Sequence, residues 1–301
     1  MFRLAHISDM HVLPPAGVHW REMLLNKRIT GWVNTRIRRG RVYRRRYLEM
    51  VLDAASRADH LVITGDVTNL ALDSEYHETL RLLERRAGGA EITLIPGNHD
   101  LYLPRVSREG RFAHHFGAFV RSDLPDLAVD VAAGAYPFVK LRGPAAIIGL
   151  SSAVPRPPFI AAGYVGHDQL RALSAILDHP EVAKRVPVIL IHHPPVDSRH
   201  RILQLRDGLA DAASLREVLA TMRRGLVLFG HLHVRVRCRL GALDVVGASG
   251  AALDHPNDSV RAGYNLYELD DDGVARIEAH VVDADGSTLR RVEIAMRETC
   301  V

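Results

Sequence analysis

Cysteine is scarce in this chain of 301 residues: Cys238 and Cys300 are its only two, without the spacing of a metal site and too few for a disulfide framework. Both are expected to be ordinary, reduced residues. Long apolar runs are missing as well. No uncharged stretch approaches the ~18 residues that would mark a membrane-crossing helix. Nor is there room for a secretory leader, because Met1 to Ser8 run straight into a strand-like segment. The expected location is therefore the cytoplasm. Acidic side chains are nearly absent from one region, residues 19–47, where ten Arg and Lys residues face Glu22 alone. The chain as a whole carries only +4, so the remainder is net acidic, which argues against a broad nucleic-acid footprint and for one local anionic partner.

What is present is enough apolar material, 47% of residues, to fill a substantial core. Short β-branched runs at Phe2 to Ile7, His60 to Thr64, Ile92 to Pro96, Ala145 to Leu150, Val186 to Ile191 and Leu226 to Phe229 suit strands buried on both faces. Helical spacing lies between them, as in Tyr47, Val51, Leu52 and Ala55, in Tyr76, Leu80, Leu82 and Leu83, and in Leu215, Val218, Leu219 and Met222. After His233 the pattern turns to period two, broken by Asp272-Gly273 and Asp285-Gly286, which are hairpin signals. The expected fold is α/β: a four-layer α/β/β/α sandwich of two mixed sheets with helices outside. A single domain over residues 1–301 is expected, with 19–47 as a basic amphipathic insertion and 234–301 as a β-rich part completing the second sheet.

Five short islands share one chemistry. Asp9-Met10-His11, Gly65-Asp66 with Asn69, Gly97-Asn98-His99-Asp100, His192-His193 and Gly230-His231-Leu232-His233 each place carboxylate, imidazole or amide groups directly after an apolar run. Asp9 and His11 alternate about Met10, and His231 and His233 about Leu232, so each pair can leave one face of an extended chain. Asp66 offers two oxygens that can bridge two cations, and the preceding glycine allows close backbone approach. Any one island alone is a common turn or strand end; together they read as a two-metal hydrolytic centre. His192 and His193 point to opposite faces, giving one ligand and one neighbour.

The ordered set resembles the calcineurin-like metallophosphoesterases over residues 4 to 233. That resemblance implies that Asp9, His11, Asp66 and His233 hold one ion, and that Asp66, Asn98, His192 and His231 hold the other. It favours His192 over His193 as ligand and makes His99 a general acid or phosphate contact, with Asp100 orienting the catalytic loop. His193 and Asn69 are then expected to meet the substrate. Thiolate is absent from the set, which suits manganese, iron or zinc. Two such ions can stabilise the attacking and leaving oxygens of an in-line displacement and supply hydroxide near neutral pH. The expected activity is phosphoester hydrolysis, of a phosphodiester or pyrophosphate.

Residues 20–38 approximate an amphipathic helix, with Leu25, Ile29, Trp32, Val33 and Ile37 at helical spacing and both tryptophans of the chain, Trp20 and Trp32, included. Such a segment fits an anionic membrane surface, at the inner face of a membrane, or packs its stripe on the core. The membrane reading brings the enzymes that cleave UDP-diacylglucosamine into view, although their common form carries arginine where this chain has His99. Soluble phosphodiesterases share Gly-Asn-His-Asp and His-His-Pro-Pro with it. A non-catalytic scaffold of the same fold, such as the retromer subunit, would have lost ligands that are all present here. Arg105, Arg108, Arg111, Arg121 and Arg156, on long connections, are candidate phosphate contacts.

Overall fold

Residues whose side chains alternate between two buried environments form the centre of the molecule. In the strand Leu226–Phe229, Leu226 and Leu228 join one hydrophobic cluster while Val227 and Phe229 join another, and Val186–Leu190 divides in the same way. A strand buried on both faces needs a layer on each side. The computed structural model describes residues 1–13 and 42–298; the amphipathic stretch expected over 20–38 lies outside them.

The first sheet contains β1 (Phe2–Ile7), β2 (His60–Ile63), β3 (Glu91–Leu94), β12 (Gly263–Asp270), β13 (Gly273–Val282) and β14 (Leu289–Val292), in the order β14-β13-β12-β1-β2-β3. The second contains β6 (Phe138–Arg142), β7 (Ala145–Gly149), β8 (Val186–Leu190), β9 (Leu226–Phe229), β10 (Val236–Leu240) and β11 (Leu243–Gly247), in the order β10-β11-β9-β8-β7-β6. A small hairpin of β4 (Val129–Val131) and β5 (Gly134–Tyr136) stands apart. β1, β2 and β3 run parallel, as do β7, β8 and β9. Parallel neighbours require crossovers, and these contain the helices.

The helix Arg45–Ala55 buries Leu48, Val51, Leu52 and Ala55, a one-face stripe at helical spacing that covers the first sheet. Asp73–Ala87 buries Tyr76, Thr79, Leu82 and Leu83, with Asp73 and Glu75 in its first turn and Arg85 and Arg86 in its last, favourable for the helix dipole. His167–Asp178 and Ala212–Leu219 cover the second sheet through Leu170, Leu173, Ile176, Leu215 and Leu219. The α/β/β/α sandwich of two mixed sheets with flanking helices is therefore the fold. No helix among the described residues is long and apolar enough to cross a membrane.

Two expectations need correction. The C-terminal part does not complete only the second sheet: β10 and β11 join it, but β12 to β14 extend the first sheet from the free edge of β1. Period-two patterning announces strands without saying which edge they will find. Cys238, buried in β10, is disulfide-bonded rather than reduced. The reason is topological, since Met296 and Arg297 pair with Arg237 and carry the chain end back alongside β10. Cys300, the other cysteine, lies outside the described residues.

Candidate metal centre

Every island follows the carboxyl end of a parallel strand. Asp9 and His11 follow β1, Asp66 follows β2, Asn98 to Asp100 follow β3, His192 follows β8, and His231 and His233 follow β9. Within the first sheet the loops continue the ladder, as Asp9 N–H donates to Gly65 O at 3.0 Å and His11 N–H to Asp66 O at 3.0 Å. Between the sheets, His192 Nδ1 donates to Thr64 O at 2.7 Å and His231 N–H to Asp9 Oδ2 at 3.0 Å. These ties bring one edge of each sheet to the same place, where open α/β sheets bind ligands.

The local backbone is strained there. Seven non-glycine residues with positive φ occur among the described residues, and five of them are Asp9, His11, Asp66, His231 and His233. Each such residue costs on the order of 1 kcal/mol or more, and this clustering marks a site where geometry outweighs local preference. Close packing adds the glycines. A side chain on Gly97 would strike the Asp66 carboxylate, and one on Gly230 would strike Ser8 and Asp9.

Asp9, His11, Asp66 and His233 each place a ligand atom within 4.8 Å of the others. Asp66 Oδ2 lies 3.9 Å from His11 Nε2, while Asp66 Oδ1 lies 3.5 Å from His192 Nε2, which in turn is 3.1 Å from Asn98 Oδ1. The two carboxylate oxygens thus face two different donor groups. His231 packs against His192 with ring centroids 5.1 Å apart and completes the second group.

Outer contacts fix the rings. His11 Nδ1 donates to Thr68 O at 3.2 Å, His192 Nδ1 to Thr64 O, and His231 Nε2 to Asp207 O at 2.7 Å. Because a carbonyl only accepts, each of these nitrogens carries the proton, and the opposite nitrogen presents a lone pair inward. His233 Nδ1 meets the Tyr43 hydroxyl at 3.1 Å. The inner atoms then crowd: His11 Nε2 stands 3.3 Å and the buried Asp9 Oδ1 2.9 Å from the same His233 Nε2, so one His233 proton could serve only one of these two acceptors. Buried acceptors facing one another are unfavourable unless a cation lies between them. The donor set fits a pair of metal ions on this ground.

In the protein alone, the facing imidazoles hold the buried carboxylates ionised. Burial pushes the Asp66 carboxyl up, but the facing His192 and His99 outweigh it and hold Asp66 well below its ordinary range. Burial also works against ionised Asp9, and His233 outweighs it there. His192 is pulled down by burial and up by Asp66, reaching about 9, whereas burial and then the His192 charge take His231 down to about 4.

Several expected site residues are engaged by the protein itself, and His193 forms a group with His192 and His231 whose ligand atoms lie within 4.8 Å of one another. His193 is fully buried, with Nε2 donating to Ala161 O and Nδ1 bonded to the Ser152 hydroxyl, both at 2.8 Å, so both nitrogens are engaged within the protein. Asn69 is also buried and donates through Nδ2 to His11 O at 2.8 Å, a brace for the first loop. Asp100 is turned to the loop backbone. Its carboxylate accepts from Gly97 N–H, Thr68 N–H, Thr68 Oγ1 and Val67 N–H, so it is a positioning group for the loop. His99 stays at the mouth, half-buried, with Nδ1 donating to Asn69 O and its ring 5.0 Å from that of His11.

Of the candidate arginines, Arg105 and Arg111 both pair with Glu109, and Arg156 Nε donates to Ala162 O. From the basic segment, Arg44 pairs with Asp254, and Arg45 with Glu49 and Glu78. The sequence pointed to neither Tyr43 nor the carbonyls of Thr64, Thr68 and Asp207. Carbonyls carry no residue signature, and Tyr43 lies outside every motif.

The calcineurin-like phosphoesterase family model matches residues 2–235. The chain belongs to the calcineurin-like phosphoesterase family. A protein of Rhodococcus erythropolis named "Probable cyclic nucleotide phosphodiesterase" is 28% identical over 207 residues, 68% of this chain and 61% of that protein. A Synechococcus protein named in the same way is 31% identical over 99 residues, 33% of this chain and 38% of that one. The chain thus spans less than two thirds of the length of these relatives. In fold, this family member is similar to a dimetal phosphatase from Danio rerio, with TM-score 0.61 and 13% identity over 98% of this chain and 99% of that one. It is also similar to a purple acid phosphatase from yellow lupin, with TM-score 0.60 and 12% identity over 98% of this chain and 54% of that one.

Proposed function

We propose that this chain is a two-metal phosphoester hydrolase acting on a phosphodiester or a pyrophosphate. The observation that carries this reading is Asp66, whose two oxygens face separate buried donor groups at 3.9 and 3.5 Å. Asp9, His11 and His233 would hold one ion, and Asn98, His192 and His231 the other, with Asp66 shared. When bound, such a pair supplies Lewis-acid stabilisation for in-line displacement at phosphorus. Manganese, iron and zinc all suit these donors.

The protein's own groups do the rest. Asp100 holds the Gly97–Asp100 turn against the loop after β2, keeping Asn98 facing His192. His99 is the proton donor in this reading: with Nδ1 donating to Asn69 O, a proton passed to the leaving oxygen comes from Nε2. The cyclic nucleotide phosphodiesterase names of the relatives support a phosphodiester substrate. A nucleotide-linked lipid pyrophosphate is the second reading. It is favoured by the basic segment, whose flanking residues come to the site: Leu13 follows ligand position His11 by two residues, and Tyr43 contacts His233.

Purified protein loaded with manganese, iron or zinc should release nitrophenol from bis-nitrophenyl phosphate, and Asp66→Ala should not. A screen over cyclic nucleotides, glycerophosphodiesters and nucleotide-linked lipids then separates the two substrate classes. Equal, background rates for wild type and Asp66→Ala under every metal would overturn the reading in favour of a non-catalytic scaffold.

A further inference from the structure

Three of the four inward-facing imidazoles are anchored by backbone carbonyls, which no side-chain substitution removes. His233 is different, because its outer nitrogen meets a side-chain hydroxyl, that of Tyr43, at 3.1 Å. A hydroxyl can donate or accept, so this contact alone among the four does not fix the ring tautomer by itself. Within its own group His233 also has the most solvent access, 22% of its side chain against 3% or less for Asp9, His11 and Asp66. Packing therefore does least to hold the ring whose orientation is least determined by the backbone.

Tyr43 is well placed for that task. It pairs with Leu253 as an isolated bridge, Arg44 N–H donates to Ala252 O at 2.8 Å, and Asp254 N–H donates to Val42 O at 2.6 Å. The Arg44–Asp254 ion pair at 3.2 Å is largely exposed and contributes little beside these backbone bonds. The tyrosine ring stands edge-on to His11 and His233, with centroids 5.2 and 6.3 Å away. None of these supports comes from the strands that bear the ligands, so the hydroxyl is fixed independently of the ring it meets.

We propose that Tyr43 is a positioning residue for His233: it accepts the Nδ1 proton, fixes the tautomer with the Nε2 lone pair inward, and so sets the affinity of the Asp9, His11, Asp66 and His233 group for its ion. The inference rests on the two-metal reading above. Removing an outer partner of a metal-bound histidine typically weakens metal binding about 10- to 100-fold.

Calorimetric titration of the metal-free protein with cobalt(II), read alongside the visible absorption of the bound ion, tests this without turnover. Wild type should bind two ions. Tyr43→Phe keeps the ring and should bind one ion as wild type does and the other about 10- to 100-fold more weakly, with a changed absorption spectrum for that ion. Arg44→Gln breaks the neighbouring ion pair while leaving the hydroxyl, and should match wild type. Unchanged binding of both ions by Tyr43→Phe would overturn the proposal, as would an equal loss in Arg44→Gln, which would assign the effect to the loop. If wild type binds no pair of ions, the two-metal reading itself falls and the inference with it.

Discussion

Asp100 separates a structural from a chemical role most cleanly. Its Oδ1 accepts from Thr68 N–H at 2.9 Å and Thr68 Oγ1 at 2.8 Å, and its Oδ2 accepts from Gly97 N–H at 2.9 Å and Val67 N–H at 3.3 Å. Burial, and then the Asp66 charge, push this carboxyl up to about 7, with the Gly97 and Thr68 donors opposing them. Measurements at pH 8 therefore examine the ionised form. In Asp100→Asn the amide can turn its NH2 toward Thr68, whose hydroxyl can reverse and accept, leaving one backbone N–H without an acceptor. A buried donor left unpaired costs about 1–3 kcal/mol. Asp100→Ala leaves the N–H groups of Val67, Thr68 and Gly97 all without it, and should cost roughly 3–9 kcal/mol on the same scale. With a urea dependence of about 2–3 kcal/mol/M, the asparagine variant should unfold roughly 0.5–1 M earlier than wild type, and the alanine variant earlier still. Circular dichroism of metal-free protein in urea gives both midpoints. If both variants unfold with wild type yet lose turnover, Asp100 acts in the chemistry and the scaffold argument is wrong.

Two other outcomes follow from the same contacts. His60 is buried between the sheets, with Nε2 bonded to Thr93 Oγ1 at 2.7 Å, and burial above all pulls it down to about 4. Because the unfolded chain takes up that proton first, stability should fall as the pH drops from about 6.5 to 4, by roughly 3 kcal/mol from this group. His60→Gln should show a shallower loss in urea titrations between pH 7 and 4.5, and an unchanged slope would contradict the assignment. His193→Ala should keep its full metal content by elemental analysis but melt at lower temperature, having lost the bonds to Ser152 and Ala161. Loss of an ion in that variant would restore His193 as a ligand.

Much of this site is legible in the sequence because its chemistry is local. Apolar runs such as Leu61 to Thr64 and Val188 to Ile191 declare strands, and a ligand within a few residues of each strand end is carried to the sheet edge by the backbone itself. Whatever depends on distant partners is hidden. Alternation puts His193 on the face opposite His192, but only folding fills that face with Ser152 and Ala161, 41 and 32 residues away. Asn69 and Asp100 have distant partners too: polar groups beside ligands look like chemistry, and here both also satisfy the backbone of strained loops. Tyr43 joins the site through a bridge to Leu253, a contact no local pattern announces.

The central claim is that Asp66 lies between two ions. Anomalous scattering from crystals of manganese- or zinc-loaded protein tests it most directly. The account predicts two peaks about 3.5–4 Å apart, one beside Asp9, His11 and His233, the other beside Asn98, His192 and His231, each within bonding distance of a different Asp66 oxygen. A single peak, or a pair that does not share Asp66, would contradict it.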